Sequence, residues 1–311
     1  MTLDLHARRF LERLRASAPR RVEGLSVIER REALGRLLSL GGEPPDVDAV
    51  EEHRAPGPEG ALPFRLYTPH GAAQDVLPAI VYFHGGGLVA GSLDTYDGIA
   101  RCLANASGCK VVAVGYRLAP EARFPAAIND ASFASCWVLK HAAELAIDAT
   151  RIAVCGDSAG ATLAIAACRS VAAATNNRFA LQILLCPILD YRPQRTARRF
   201  YDHGDLLDRE TLEHDLVHYV DDWTDPADPR VSPLQAEDFF GLPPACIHTA
   251  ECDPVREDGS DYAGKLEQAG VAVSYRCHPG MIHLFYGLGM VIPYVAQAYQ
   301  AIGADIRARL S

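Results

Sequence analysis

Short apolar runs alternate with longer stretches of helical spacing along most of this chain. From Phe64 onward the short runs span 64–67, 79–83, 111–116, 152–155, 181–185, 245–250 and 271–277. Short apolar runs separated by helical stretches predict parallel strands joined by helical crossovers. The pattern therefore indicates an α/β fold with a mostly parallel sheet and helices on both of its faces.

Two regions depart from this alternation. Before about residue 45 the pattern is helical, and Ser26 and Glu29 have the spacing of a capping box. A loop rich in Gly and Pro follows, and the polar stretch 190–225 carries a helical insert around 211–220. Ligands bind beyond the carboxyl ends of the strands in such sheets, so both segments are candidates for a cap. We expect a single domain over 1–311, with cap segments at approximately 1–45 and 190–225.

Charge and cysteine content exclude several classes of protein. The formal net charge of −9 is the wrong sign for a nucleic-acid partner, and the Arg-rich opening is interpreted as the solvated face of a helix. No apolar run approaches the ~18 residues of a membrane span, and a secretion signal is absent, which predicts a cytoplasmic protein. The nine cysteines lack metal-ligand spacing and are expected to be buried, reduced thiols. The oligomeric state is left open, a homodimer included.

A serine lies at the corner between a predicted strand and a predicted helix. The segment Gly156-Asp157-Ser158-Ala159-Gly160 has Gly-x-Ser-x-Gly spacing. A sharp turn at this place forces the serine into strained dihedrals and requires small neighbours, and it presents the hydroxyl outside the sheet. The five-letter pattern alone is common, but the flanking strand and helix favour Ser158 as a nucleophile over a structural turn.

A serine nucleophile requires a base and an acid that orients the base, in the chain order Ser, Asp or Glu, then His. Asp253 follows an apolar run and precedes a proline, which disfavours helical dihedrals and holds it extended in the loop. Glu251 and Asp258 are rival carboxylates. For the base, His283 is favoured over His278, because a loop leading past Gly280 could return its imidazole to the serine.

A glycine run after another predicted strand supplies a third component. The sequence His84-Gly85-Gly86-Gly87 exposes backbone amides, which are suited to hold the oxyanion formed when a nucleophile attacks an ester carbonyl. Gly85 and Gly86 are the predicted donors, together with the amide of Ala159. A phosphate-binding loop is disfavoured because no Gly-Lys-Ser or Gly-x-Gly-x-x-Gly pattern is present.

Five motifs together carry a family resemblance. These are HGGG at 84–87, YRLAPE at 116–121, GDSAG at 156–160, DPVRED at 253–258 and GMIHLF at 280–285. The combination resembles the hormone-sensitive-lipase-like family of α/β-hydrolases, the bacterial type IV carboxylesterases. The likeness extends from about Phe64 to the end of the chain.

The resemblance implies an eight-stranded sheet with a helical cap, and the hydrolysis of carboxylic esters without a cofactor or metal. It implies a Ser-His-Asp triad, an oxyanion hole and a set of supporting residues. The triad is Ser158, Asp253 and His283; the oxyanion hole is Gly85, Gly86 and Ala159; the supporting residues are His84, Asp157 and Glu121.

The expected reaction is a two-step acyl transfer on short- to medium-chain esters, with a small-molecule ester as the partner. An amidase or a lactonase would use the same triad, so both remain open. A non-catalytic receptor on the same scaffold is disfavoured, because no triad residue is missing from the sequence.

Overall fold

Eight strands form one sheet in the part of the chain that the computed structural model describes, which is residues 2–17, 26–72, 76–175, 178–192 and 206–310. The strands are β1 Ala49–Gly57, β2 Gly60–Thr68, β3 Leu77–Phe83, β4 Lys110–Val114, β5 Ile147–Asp157, β6 Leu181–Leu185, β7 Ala245–Cys252 and β8 Val273–Ile282. The β1–β2 and β2–β4 pairs are antiparallel, and the other neighbours are parallel, in the order β1-β2-β4-β3-β5-β6-β7-β8. The predicted fold class is thereby confirmed.

Helices cover both faces of this sheet, because successive side chains of each central strand point to opposite sides. The helices are α1 Leu5–Ser17, α2 Val27–Leu38, α3 Asp97–Ser107, α4 Ala126–Lys140, α5 Gly160–Ala174, α6 Arg209–Tyr219, α7 Arg256–Gln268 and α8 Tyr294–Leu310. In β3, Val81 packs into the hydrophobic core formed with α4, α5 and α7, whereas Ile80 packs into the core formed with α1, α3 and α8.

The N-terminal region is helical, as predicted, and α2 begins with the expected capping box. The Ser26 hydroxyl accepts a hydrogen bond from the Glu29 amide at 3.2 Å, and the Glu29 carboxylate accepts from the Ser26 amide at 2.9 Å. These bonds satisfy two amide groups that the first turn of a helix leaves without a partner.

The expectation of a Gly- and Pro-rich loop between about residue 45 and Phe64 is wrong. This region contains β1 and the start of β2, which pair in register from Ala49 with Thr68 to Gly57 with Gly60. Ala55 is buried, and the other side chains of β1 are exposed or part-buried. Backbone pairing with β2 holds this edge strand in place without extensive burial of its side chains. Its sequence therefore lacks the apolar run that identifies the other strands.

Two of the predicted cap segments meet through an ion pair. Arg30 of α2 donates to the Asp215 carboxylate of α6 at 2.9 Å, and the two side chains are 14% and 5% exposed. The Asp215 carboxylate also packs against Gly87, so a side chain at Gly87 would collide with it. The helix predicted around 211–220 is confirmed as α6. Part of the predicted cap, 193–205, lies outside the described residues.

The described helices and the cysteines bear on two of the sequence predictions, which concern membrane spans and the redox state of the thiols. None of the described helices combines the length and hydropathy that crossing a membrane requires. The nine cysteines, all within described ranges, are free thiols, and five of them are buried. The expectation of reduced thiols agrees with this finding, whereas the expectation of burial holds for five of the nine and the other four are part-buried.

Candidate active site

Ser158 lies at the corner between β5 and α5 in a strained backbone conformation. Its φ is +52°, a region that non-glycine residues rarely adopt. The corner is so tight that a side chain at Gly156 would collide with the Gly160 carbonyl, and one at Gly160 would collide with the Phe83 carbonyl. Two backbone hydrogen bonds fix the serine itself: the Ser158 amide donates to the Leu185 carbonyl, and the Ile188 amide donates to the Ser158 carbonyl. The predicted strain and the need for small neighbours are both confirmed.

The structure brings Ser158, His283 and Asp253 together, although they lie far apart in the chain. Ser158 Oγ and His283 Nε2 are 2.9 Å apart, and His283 Nδ1 and Asp253 Oδ2 are 2.8 Å apart. All three side chains are buried, and Asp253 Oδ1 also accepts from the Val255 amide at 3.0 Å. The carboxylate thus accepts hydrogen bonds from both the imidazole and a backbone amide.

His283 reaches the serine by a different route from the predicted one. The expected loop after residue 277 is in fact a continuation of β8, which runs to Ile282 through Gly280 at φ +68°. A register irregularity between Ala250 and Cys252 accommodates this extension of the β7–β8 pair. His283 therefore follows directly from a strand end, where its position is fixed more firmly than in a loop.

The rival residues all have other partners. Glu251 accepts from the Gly280 amide at 2.8 Å and so supports the end of β8. Asp258 accepts from the Leu189 amide at 2.8 Å and the Asp190 amide at 3.0 Å. His278 lies 3.1 Å from His248, away from the serine. These contacts favour structural roles for the three rivals.

The glycine run lies against the serine, but one predicted oxyanion donor is already engaged. The Gly85 amide donates to Asp157 Oδ1 at 2.9 Å, and this contact disfavours its predicted role as an oxyanion donor. Within the described residues, the amides of Gly86, Gly87 and Ala159 donate to no protein acceptor. The sequence did not single out the Gly87 amide, because only the folded position of Asp157 decides which amides of the run stay available.

Buried aromatic side chains support the glycine run from behind. The Tyr116 hydroxyl donates to the His84 carbonyl at 2.7 Å, and His84 Nδ1 lies 2.7 Å from the Gly85 carbonyl. The His84 ring is stacked between Tyr96 and Tyr116. Burial lowers the pKa of His84 to about 4, so the ring is neutral near pH 7 and Nδ1–H can donate to Gly85. These contacts are consistent with the expected role of His84 in supporting the loop conformation.

Asp157 is a buried carboxylate beneath the same loop. Tyr82 donates to its Oδ1 at 2.5 Å and Tyr286 to its Oδ2 at 3.2 Å, in addition to the Gly85 amide. Burial raises the pKa of Asp157 to about 6, although these three donors lower it in part. Neither tyrosine was identified from the sequence, since a lone tyrosine in an apolar segment is indistinguishable there from a core residue.

Glu121 acts at the surface rather than at the serine. Its carboxylate is bound by Arg31 at 2.6 and 2.8 Å, and these hydrogen bonds lower the pKa of Glu121 to about 2. Arg31 also donates to the carbonyls of Val89 and Ala119. Glu121 therefore orients an arginine that ties α2 to the segment after the glycine run.

A single group of potential metal ligands gathers among the described residues, and it overlaps this site. It consists of Cys186, Asp253 and His283, each of which offers one ligand atom. The sequence alone identifies Cys186 only as one of nine cysteines expected to be buried.

The sheet order, the strained serine corner and the buried Ser-His-Asp arrangement are together the features of an α/β-hydrolase. A serine, an imidazole and a carboxylate in this order can transfer a proton away from the hydroxyl as it attacks a carbonyl.

The chain belongs to the alpha/beta hydrolase fold family, whose sequence model matches residues 80–287. Among curated proteins, it is 40% identical over 264 residues to an ethyl acetate hydrolase of Pseudomonas putida, covering 81% of this chain and 80% of that protein. It is 38% identical to the carboxylic ester hydrolase LipN of Mycobacterium tuberculosis, covering 84% of this chain and 71% of LipN.

Solved structures agree with these relatives. An α/β-hydrolase enzyme, LAE6, from the metagenome of Lake Arreo superposes with a TM-score of 0.94 at 36% identity, covering 99% of this chain and 98% of that one. The resemblance to the carboxylesterases is thereby confirmed.

Proposed function

We propose that this protein is a serine carboxylesterase that hydrolyses short- to medium-chain esters through Ser158, His283 and Asp253. The observation that carries the proposal is the pair of contacts from Ser158 Oγ to His283 Nε2, 2.9 Å, and from His283 Nδ1 to Asp253 Oδ2, 2.8 Å. Both distances lie within the hydrogen-bonding range that proton transfer needs.

In the first step His283 Nε2 accepts the Ser158 proton as the hydroxyl oxygen attacks the ester carbonyl. The alcohol then leaves with that proton, and an acyl-serine remains. Water repeats the sequence in the second step, so the acid is released and the serine is regenerated. Asp253 accepts the Nδ1–H bond throughout and keeps the tautomer in which Nε2 is free to act as a base.

The oxyanion of each tetrahedral intermediate is assigned to the amides of Gly86, Gly87 and Ala159. Support comes from their lack of acceptors within the described residues, whereas the Gly85 amide is bound to Asp157. A single donor of this kind is worth about 3 kcal/mol of transition-state stabilisation. Asp157, Tyr116 and His84 hold the loop in place and touch no substrate atom in this mechanism.

Short acyl groups are the proposed substrates, and the similarity to an ethyl acetate hydrolase supports this choice. The cap is assigned to α1, α2 and α6, since the Arg30–Asp215 ion pair links two of these helices above Gly87. A cytoplasmic location fits the nine free thiols, and the net charge of −9 is unfavourable for nucleic-acid binding.

The test measures hydrolysis of p-nitrophenyl esters from acetate to dodecanoate by the wild type and by Ser158→Ala. We expect the highest kcat/KM at short chains, and a loss in kcat of several orders of magnitude, up to about 10⁶-fold, in the variant. A fluorophosphonate probe should label the wild type at Ser158 and leave Ser158→Ala unlabelled.

A matched control is Ser135→Ala in α4. Ser135 is also fully buried, and its hydroxyl has no hydrogen-bond partner in the described part of the chain. This variant should retain wild-type rates. Ester hydrolysis by Ser158→Ala at a rate close to that of the wild type would contradict the proposed mechanism.

A further inference from the structure

A cysteine that the proposed hydrolysis does not use lies beside the triad. Cys186 directly follows β6, and its thiol is 1% exposed. Its backbone is fixed by the amide, which donates to the His248 carbonyl at 2.7 Å. One ligand atom each from Cys186, Asp253 and His283 lie within 4.8 Å of one another, and all three residues are buried.

These three groups form a set of ligands suited to a thiophilic cation. Zinc binds thiolate sulfur at about 2.3 Å and imidazole nitrogen or carboxylate oxygen at about 2.0–2.2 Å. In tetrahedral geometry such ligand atoms stand roughly 3.4–3.6 Å apart. The 2.8 Å between His283 Nδ1 and Asp253 Oδ2 would have to widen, and any separation close to the 4.8 Å limit would have to shorten. Both changes need side-chain movements on the order of 1 Å.

We propose that Cys186 Sγ, His283 Nδ1 and the Asp253 carboxylate form an inhibitory binding site for a thiophilic divalent cation such as Zn²⁺ or Cd²⁺. The inhibitory effect rests on the proposed function, whereas the binding itself does not.

Inhibition follows from the proton balance at His283. Without the cation, Nδ1–H donates to Asp253, and the lone pair of Nε2 faces the Ser158 hydroxyl. The cation takes the lone pair of Nδ1, so the ring proton moves to Nε2. An Nε2 that carries a proton cannot accept one from Ser158, and the general base is lost. The thiol proton is released to solvent, one for each cation bound.

The three donor atoms, one each of sulfur, nitrogen and oxygen, determine the selectivity. A cation must displace the thiol proton to bind the sulfur, so only a metal with a strong affinity for sulfur is expected to bind. Mg²⁺ and Ca²⁺ prefer oxygen ligands, so neither should bind here.

Binding is tested apart from catalysis in the Ser158→Ala background. Cd²⁺ is titrated while the ultraviolet thiolate-to-cadmium charge-transfer absorption is recorded. We expect saturation at one cation per chain, and loss of this absorption when Cys186→Ala or Cys186→Ser is added. The serine variant keeps the side-chain size, so it separates loss of the ligand from loss of packing. Cys168→Ala, which removes another buried thiol, in α5, is the matched control and should bind like the parent.

Activity is tested in the otherwise unchanged enzyme, as the ratio of rates with and without Cd²⁺ for each variant. We expect Cd²⁺ to inhibit the wild type and Cys168→Ala, EDTA to restore the rate, and Mg²⁺ to have no effect. Removing a residue that only hydrogen-bonds to a metal ligand costs about 10–100-fold in metal affinity, and losing a ligand should cost at least as much. Both Cys186 variants should therefore need at least about tenfold more Cd²⁺ for half inhibition.

Two results would overturn the inference: equal inhibition of the wild type and both Cys186 variants, or a charge-transfer band that persists without Cys186. The proposed function would fail separately. If the metal-free wild type hydrolysed no ester, the titration in the Ser158→Ala background would still decide whether the cation site exists.

Discussion

The buried carboxylate of Asp157 should make the stability of this protein depend on pH. The side chain is 0% exposed, and burial raises its pKa from 3.8 to about 6. The perturbation that isolates this effect is Asp157→Asn. The amide keeps an oxygen that can accept from the Gly85 amide and stays neutral at every pH, so the change removes the titration while it preserves the shape of the side chain.

The sign follows from where the proton is held. Between about pH 4 and 6 the folded protein keeps a proton on Asp157 that the unfolded chain has released, so the stabilising contribution is full below 3.8 and is lost as the pH rises through 6. A rise of about two units, at about 1.4 kcal/mol per unit, gives about 3 kcal/mol in total. Of this, about 1.4 kcal/mol falls between pH 5 and 8.

The assay is reversible urea unfolding of both proteins at pH 5, 6, 7 and 8, followed by far-ultraviolet circular dichroism. The free energy of unfolding of the wild type should fall from pH 5 to 8 by about 1.4 kcal/mol more than that of Asp157→Asn. Buried His84 titrates in both proteins, so its effect cancels in this difference. Parallel pH profiles, or a wild type that gains stability relative to the variant, would refute the reasoning.

Gly160→Ala would push a methyl group into the Phe83 carbonyl and should cost at least about 2 kcal/mol in thermal unfolding, whereas Gly264→Ala in α7, which meets nothing within 4 Å among the described residues, should gain up to about 1 kcal/mol. Equal effects would contradict the packing argument. Asp253→Asn should lower kcat about 10⁴-fold, because the amide favours the wrong tautomer of His283. In Glu251→Gln the side-chain oxygen can still accept from the Gly280 amide, so kcat should stay near that of the wild type. A large loss in Glu251→Gln and none in Asp253→Asn would assign the carboxylate of the triad to Glu251. Asp215→Ala leaves Arg30 without its acidic partner and should lower the free energy of unfolding in urea by about 3 kcal/mol or more. Glu32→Ala, which breaks the exposed ion pair with Arg36, should lower it by less than about 0.5 kcal/mol. Similar losses in the two variants would show that the contact between Arg30 and Asp215 is weak.

Local patterns in the sequence determined the class of fold and the residues to which chemistry is assigned. The central strands are apolar on both faces because helices cover both sides of the sheet, so β6 could be predicted at 181–185 with its observed bounds. The corner at Ser158 can be predicted from the Gly-x-Ser-x-Gly spacing between a strand and a helix. Gly156 must be small because of the nearby Gly160 carbonyl, whereas Gly160 must be small because it packs against the Phe83 carbonyl of β3. The capping box of Ser26 and Glu29 can also be predicted from the sequence, because its two residues are only three positions apart.

Contacts between distant segments of the chain determine the structural features that the sequence did not predict. β1 exists through its pairing with β2, and the continuation of β8 to Ile282 depends on Glu251 and on the irregular pairing with β7. The sequence shows three consecutive glycines but not which amide Asp157 occupies, since that carboxylate comes from a strand some seventy residues later. The position of Cys186 beside Asp253 and His283 is likewise a product of neighbouring strand ends in the sheet. Local sterics and hydrophobic periodicity depend on residues close together in the sequence, so they can be predicted from it. The hydrogen-bond partner of a buried polar group depends on the packing of the whole chain.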